Sequence, residues 1–309
     1  MTAPLTQMLS TRRPLILDGA MGTELQRRGV DTTLPLWSAR ALIDEPEAVL
    51  QIHLDYIAAG ADIITTNTFR TTRRTFRRAG LPDRSSELTA RAVEIARQAT
   101  RTAGPHTLLV AGSIAPLEDC YRPDLVPPEA DLHEEHGELA RRLDEAGVDI
   151  LLLETMNTIR EAVAACRQAV ATGRETVVSF LCNHEGNLYS GELLEEAVRT
   201  IEPLGPAAFS LNCISPRFLP LAISRLRAAT GKPFAVYANV GLPGGEQGWH
   251  FTRETGEVEY AAHAARWVKE GAAIVGGCCG TTPAYISFLR IGLGVSRSSS
   301  SNLAGAPPA

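Results

Sequence analysis

No stretch of 18 or more apolar residues occurs in the chain, which excludes a membrane-spanning helix. Met1 to Arg13 holds no apolar signal core, so the cytoplasm, with reduced thiols, is the expected compartment. Six cysteines in 309 residues are too sparse for a disulfide framework. Positive charge is not in excess: the formal net charge is -5, which argues against nucleic acid as a partner and leaves small molecules. Arg70, Arg73, Arg74, Arg77 and Arg78 do cluster, and a solvated helix face is the reading that fits them. No lysine closes an apolar run, since Lys232 precedes one and Lys269 lies in a helical pattern. That weighs against Schiff-base chemistry. Nothing in the pattern reports on oligomeric state.

What the chain does have is an alternation. Short apolar runs end in polar residues at Asp18, Asn67, Ser113, Glu154, Asn183, Cys213, Asn239 and Cys278-Cys279. Between them lie segments with helical spacing, such as Glu47 to Gly60 and Glu87 to Thr102. Eight such pairs predict a single-domain α/β fold, a (β/α)8 TIM barrel over residues 14–293. A doubly wound sheet suits the even count less well. Residues 1–13 read as an N-terminal extension. Residues 294–309, rich in Ser, Gly, Ala and Pro, read as a disordered tail. In a barrel, the C-terminal strand ends carry the chemistry, so the polar and thiol residues above are expected at one mouth.

The stretch Ala273 to Pro283 is the most informative. An apolar run passes through Gly276-Gly277 into Cys278-Cys279-Gly280 and then Thr281-Thr282-Pro283. Pro283 suits the first turn of a helix, with Thr282 as its N-cap. Adjacent cysteines rarely meet disulfide geometry. They can share a metal if Cys213, at another strand end, joins them. Three thiolates with one open position form the ligand set of a catalytic zinc. The alternative is that three small thiols simply pack. Cys120, Cys166 and Cys182 fit no ligand pattern, and Cys166 falls on a helix as a core residue would.

Two acids close apolar runs, Asp18 and Glu154. Burying either unpaired is costly, so a cationic ligand, an arginine or a helix cap should partner each. Thr66 and Asn239 also belong to the expected mouth. Trp249 could face a cation with its ring or pack in a lid, and His250 beside it reads as a loop residue. A competing reading is a phosphate-binding barrel lyase or synthase that uses Gly244-Gly245 and Gly276-Gly277, but it leaves the cysteines unexplained. A non-catalytic zinc or redox binder is a third.

The ordered motifs Asp18-Gly19-Ala20-Met21-Gly22-Thr23, Asn67-Thr68-Phe69, Gly112-Ser113, Glu154-Thr155, Asn212-Cys213 and Gly276-Gly277-Cys278-Cys279-Gly280-Thr281-Thr282-Pro283 resemble those of the zinc-dependent homocysteine S-methyltransferases. They cover nearly the whole chain. Leu36-Trp37-Ser38-Ala39 and His53-Leu54-Asp55-Tyr56 look most like the branch that uses S-methylmethionine or S-adenosylmethionine. The resemblance implies zinc on Cys213, Cys278 and Cys279, with homocysteine as fourth ligand and methionine as product. It implies that Glu154 and Asp18 hold the substrate ammonium and that backbone N–H groups of Ala20 and Met21 hold its carboxylate. Arg70 departs from betaine users, which tend to carry an aromatic residue there. Other donors (betaine, dimethylsulfoniopropionate) and acceptors (selenohomocysteine) stay open. The length fits the barrel without the modules of cobalamin-dependent methionine synthases.

Overall fold

A computed structural model describes residues 5–11, 13–104, 108–243, 249–250 and 255–295. The expected tail lies outside these from residue 296 onward. The strands are β1 (Leu15–Ile16), β2 (Ile63–Thr65), β3 (Leu109–Ile114), β4 (Ile150–Met156), β5 (Glu175–Phe180), β6 (Ala208–Asn212), β7 (Phe234–Ala238), β8 (Leu242–Pro243), β9 (Trp249–His250) and β10 (Ile274–Gly277). The helices are α1 (Leu5–Leu9), α2 (Gly22–Arg27), α3 (Ala41–Asp44), α4 (Pro46–Ala59), α5 (Arg73–Arg78), α6 (Ser85–Thr102), α7 (Glu129–Glu145), α8 (Ile159–Val170), α9 (Leu194–Ile201), α10 (Leu219–Ala229), α11 (Glu257–Lys269) and α12 (Pro283–Gly292).

Eight parallel strands join in the order β1-β10-β7-β6-β5-β4-β3-β2. The ring closes where Leu17 pairs with Ile63 and the Asp62 N–H donates to the Ile16 carbonyl at 2.7 Å. This is the (β/α)8 barrel that the alternation predicts. Every residue of β3, β6, β7 and β10 is buried. A strand covered by helices outside and packed side chains inside needs such a run. The helices supply the cover: α6 buries Leu88, Ala92, Val93, Ala96 and Ala99, spaced so that one stripe faces the sheet.

Three local outcomes differ from the sequence reading. β3 continues through Gly112, Ser113 and Ile114, which pair with Leu151, Leu152 and Leu153, although Gly-Ser looks like a turn. Thr282 does precede α12, but its hydroxyl makes no capping bond. In the arginine cluster on α5, Arg73, Arg74 and Arg78 are ion-paired, and Arg77 is exposed as a solvated face requires. Arg74 reaches Glu118 at 2.6 Å, Glu135 at 2.9 Å and Asp131 at 3.0 Å, and Arg73 and Arg78 pair with Glu134 and Glu118. Most of those partners come from α7, about one barrel unit later in the chain.

Residues before β1 contribute to the barrel's lower end. Glu175, the first residue of β5, accepts the Leu5 N–H at 2.6 Å and the Thr6 N–H at 3.0 Å. Leu5 and Met8 of α1 are thereby buried. Asp62 fixes the start of β1 by accepting from Arg13 at 2.9 Å and 3.0 Å and from the Ile16 N–H at 3.0 Å. The opposite end stays open.

Candidate active site

The open end is a cavity of about 470 Å³. Asp18, Ala20, Met21, Thr66, Glu154, Cys213, Cys278 and Cys279 all line it. Asn239 does not; its N–H donates to the Ile214 carbonyl at 3.1 Å, behind the cysteine loop.

Three sulfurs converge there from two strand ends. Cys213 Sγ lies 2.8 Å from Cys278 Sγ and 3.9 Å from Cys279 Sγ, and all three fall within 4.8 Å of one another. Cys213 takes φ 55°, a left-handed conformation costly for a side chain other than glycine. The adjacent Asn212 holds that turn. Its Oδ1 accepts from the Thr155 N–H at 3.0 Å and from Ser179 Oγ at 2.7 Å, while its amide faces Cys278 Sγ at 3.9 Å. The Cys278-Cys279 loop is pinned just as firmly. The Cys278 N–H donates to Ala238 at 2.8 Å, Val240 donates to the Cys279 carbonyl at 2.7 Å, and Gly280 donates to Thr23 Oγ1 at 2.9 Å. Gly280 has φ +82°, and a Cβ there would sit 1.7 Å from the Val240 carbonyl oxygen, so this position demands glycine.

The donor set fits a thiophilic metal. Zinc–sulfur bonds of about 2.3 Å in a tetrahedron put sulfurs about 3.8 Å apart. The Cys213–Cys279 edge already has that length, and the Cys213–Cys278 edge would widen by about 1 Å. Hydrogen bonds from Cys213 and Cys279 hold the Cys278 thiol well below the ordinary range, and Cys213, as a donor, is pushed up. The remaining thiols behave differently. Burial drives Cys120, Cys166 and Cys182 up to about 12, which keeps them protonated and unreactive. Cys166 is a core residue, and Cys120 lines the cavity.

Glu154 owes its aim to a break in β4. The register shifts between Leu153 and Met156, and Thr155 adopts φ 58°. This bulge turns the carboxylate into the cavity. Ser113 Oγ donates to Glu154 Oε1. Burial, reinforced by the charge on Cys278, raises Glu154 to about 8. Asp18 is raised to about 7 by burial, against hydrogen bonds from the Thr65 N–H at 2.7 Å and Thr65 Oγ1 at 2.9 Å. Neither acid pairs with an arginine among the described residues, so each faces the cavity without a cation.

The other expected residues are more committed. Thr66 Oγ1 lies 2.8 Å from Thr68 Oγ1 and accepts from the Ser113 N–H at 3.1 Å. The Ala20 N–H points at Thr281 Oγ1 at 3.4 Å, a long contact. Trp249 is buried, lines the cavity and donates its indole N–H to Val240 at 2.9 Å, whereas His250 is exposed. Gly277 is closed to a phosphate, because its N–H donates to Asp18 at 3.0 Å and a Cβ would meet Thr281 Oγ1 at 2.2 Å. Gly244 and Gly245 lie outside the described residues. Sequence reasoning missed Asn212 as an organiser and Trp37 and Tyr121 as cavity walls. Trp37 had one signal: it stands beside Ser38 in a long first loop, where a large apolar side chain needs a burial site.

Comparison with known proteins agrees with this geometry. The homocysteine S-methyltransferase family matches residues 15–291. The homocysteine S-methyltransferase of Escherichia coli is 33% identical over 306 residues, covering 93% of this chain and 97% of that protein. The selenocysteine methyltransferase of Astragalus bisulcatus is 32% identical over 307 residues, covering 88% of this chain and 90% of that one. The metallated form of the homocysteine methyltransferase MmuM from Escherichia coli superposes with a TM-score of 0.82 at 32% identity, covering 94% of this chain and 99% of that chain. With the family match spanning the barrel from its first strand to its last helix, the chain belongs to the homocysteine S-methyltransferase family.

Proposed function

We propose that this protein transfers a methyl group from a sulfonium donor, S-methylmethionine or S-adenosylmethionine, to the sulfur of homocysteine, giving methionine. The observation that carries the reading is the convergence of three thiols beside a buried carboxylate at the barrel's open end. Cys213, Cys278 and Cys279 would hold zinc, which when bound supplies the Lewis acidity that keeps a substrate thiol ionised near neutral pH.

The chain's own residues set the geometry around that sulfur. Glu154 binds the homocysteine ammonium, and Ser113 fixes which carboxylate oxygen is left for it. Asp18, tied to Thr65 through both oxygens, adds negative potential to the floor. Backbone N–H groups of Ala20 and Met21 receive the substrate carboxylate. Thr66 positions Ser113, and Asn239 supports the Cys213 turn through Ile214. In the reaction, the homocysteine sulfur forms the new S–CH₃ bond as the donor's S–CH₃ bond breaks. The bonding pair leaves on a neutral thioether, so no general acid is required, and the thiol proton goes to solvent. The rate then depends on alignment and on neutralising a cation in a dry pocket. Trp249 contributes a π face to that pocket.

Residues 14–293 form the catalytic barrel in this reading. A reducing compartment such as the cytoplasm suits six free cysteines, and no helix among the described residues is long and apolar enough to cross a membrane. The donor panel is the test: methionine formation from homocysteine with S-methylmethionine, S-adenosylmethionine, dimethylsulfoniopropionate and betaine in turn. Turnover with either of the first two supports the proposal. Turnover with betaine alone, or with none, overturns it.

A further inference from the structure

The arginines beside the cavity differ in their partners. Three of α5 are neutralised, Arg73 by Glu134, Arg74 by Glu118, Asp131 and Glu135, and Arg78 by Glu118, and the fourth, Arg77, is exposed to solvent. Arg70, at the end of the loop that follows β2, is not neutralised. It lines the cavity and is only partly exposed. Among the described residues no carboxylate pairs with it. Its Nη1 makes one long contact, 3.4 Å, with the Glu118 carbonyl, and its Nε is buried without a hydrogen-bond partner. The guanidinium carbon lies 5.5 Å from the Phe69 ring centroid. The loop that presents it is fixed on both sides. Asn67 Nδ2 donates to the Ser38 carbonyl at 2.8 Å, and Thr68 Oγ1 donates to the Ser113 carbonyl at 2.7 Å.

A fixed guanidinium with a buried, unsatisfied N–H is costly unless a ligand supplies the counter-charge. Its planar fork matches a carboxylate. The cavity is therefore polarised. Its floor holds the carboxyl groups of Asp18 and Glu154 beside the three sulfurs, and its wall holds the guanidinium of Arg70.

We propose that Arg70 is the carboxylate receptor of the methyl-donor subsite, so that this enzyme selects a sulfonium donor carrying its own carboxylate. The inference rests on the proposed methyl transfer and adds the donor's recognised group. The sulfonium then points toward the acidic floor and the thiol cluster while the carboxylate stays on Arg70.

The test compares S-methylmethionine with its carboxamide, a neutral isostere, in wild type, Arg70→Gln and Arg70→Lys, all zinc-loaded. In wild type, kcat/KM should favour the carboxylate by about tenfold to a hundredfold, the worth of a charge-assisted hydrogen bond. In Arg70→Gln that ratio should collapse to within about threefold, with Arg70→Lys between the two. A partly misfolded variant lowers both rates and leaves the ratio intact. An unchanged ratio in Arg70→Gln overturns the proposal. So does a rise confined to the KM of homocysteine, which would assign Arg70 to the acceptor. If wild type transfers methyl from neither compound, the methyl-transfer reading fails, and calorimetric binding of the two compounds still decides about Arg70. Equal affinity for both, or none for either, overturns it.

Discussion

Replacing Glu154 by Gln separates charge from shape at the acceptor site. The amide keeps the size of the carboxyl and can still accept from Ser113. It cannot pair with an ammonium. Losing a charge-assisted bond costs about 1.5–3 kcal/mol, or about a tenfold to hundredfold drop in kcat/KM for homocysteine. That full loss applies only where Glu154 is ionised. With its carboxyl raised to about 8 by burial, about 3% is ionised at pH 6.5 and most at pH 9. An ammonium binds the ionised form, so wild-type kcat/KM for homocysteine should climb with pH and level off above about 8. Thiol ionisation contributes its own slope, but the variant retains that part. The assay is therefore a ratio, wild type over Glu154→Gln, measured from pH 6.5 to pH 9 at saturating donor. The ratio should be largest at the alkaline end and shrink about tenfold or more by pH 6.5. A ratio independent of pH, or a variant equal to wild type at pH 9, would refute the assignment of Glu154 to the ammonium.

Two other substitutions test the scaffold. Gly280→Ala places a methyl group against the Val240 carbonyl oxygen in a left-handed conformation. It should cost about 2–4 kcal/mol and lower metal content, read by denaturant unfolding and metal analysis. Asn212→Ala removes the acceptor of the Thr155 N–H and Ser179 Oγ. It should destabilise by about 2 kcal/mol and weaken metal binding, and retention of both wild-type stability and metal affinity would contradict its organising role.

The barrel was legible because its strands are short, apolar and regularly spaced, and each ends on a chemically distinct residue. Strand ends in a barrel meet at one place, so Asp18, Glu154, Cys213 and Cys278 could be grouped without knowing any distance. What escaped the sequence depends on backbone geometry or on distant partners. The bulge at Thr155 and the left-handed turn at Cys213 leave no mark in residue type, since threonine and cysteine ordinarily avoid such conformations. Asn212 looked like a neighbour of a ligand and proves to be the brace between β4, β5 and the sulfur cluster. Arg73, Arg74 and Arg78 appeared solvated, as Arg77 is, because their acids lie on α7 and in the loop before it, 40 to 61 residues away in the chain. Arg70 stands out only once those pairs are drawn.

The most direct measurement is zinc content together with methionine formation, wild type beside Cys278→Ser, purified under reducing conditions. Cys278 Sγ lies 2.8 Å from Cys213 Sγ, the shorter of the two sulfur–sulfur approaches that Cys213 makes in the cluster. About one zinc per wild-type chain is expected, with zinc and turnover lost together in the variant while the fold is retained. A wild-type protein that turns over without zinc, or a variant that loses zinc yet keeps full activity, would contradict the account.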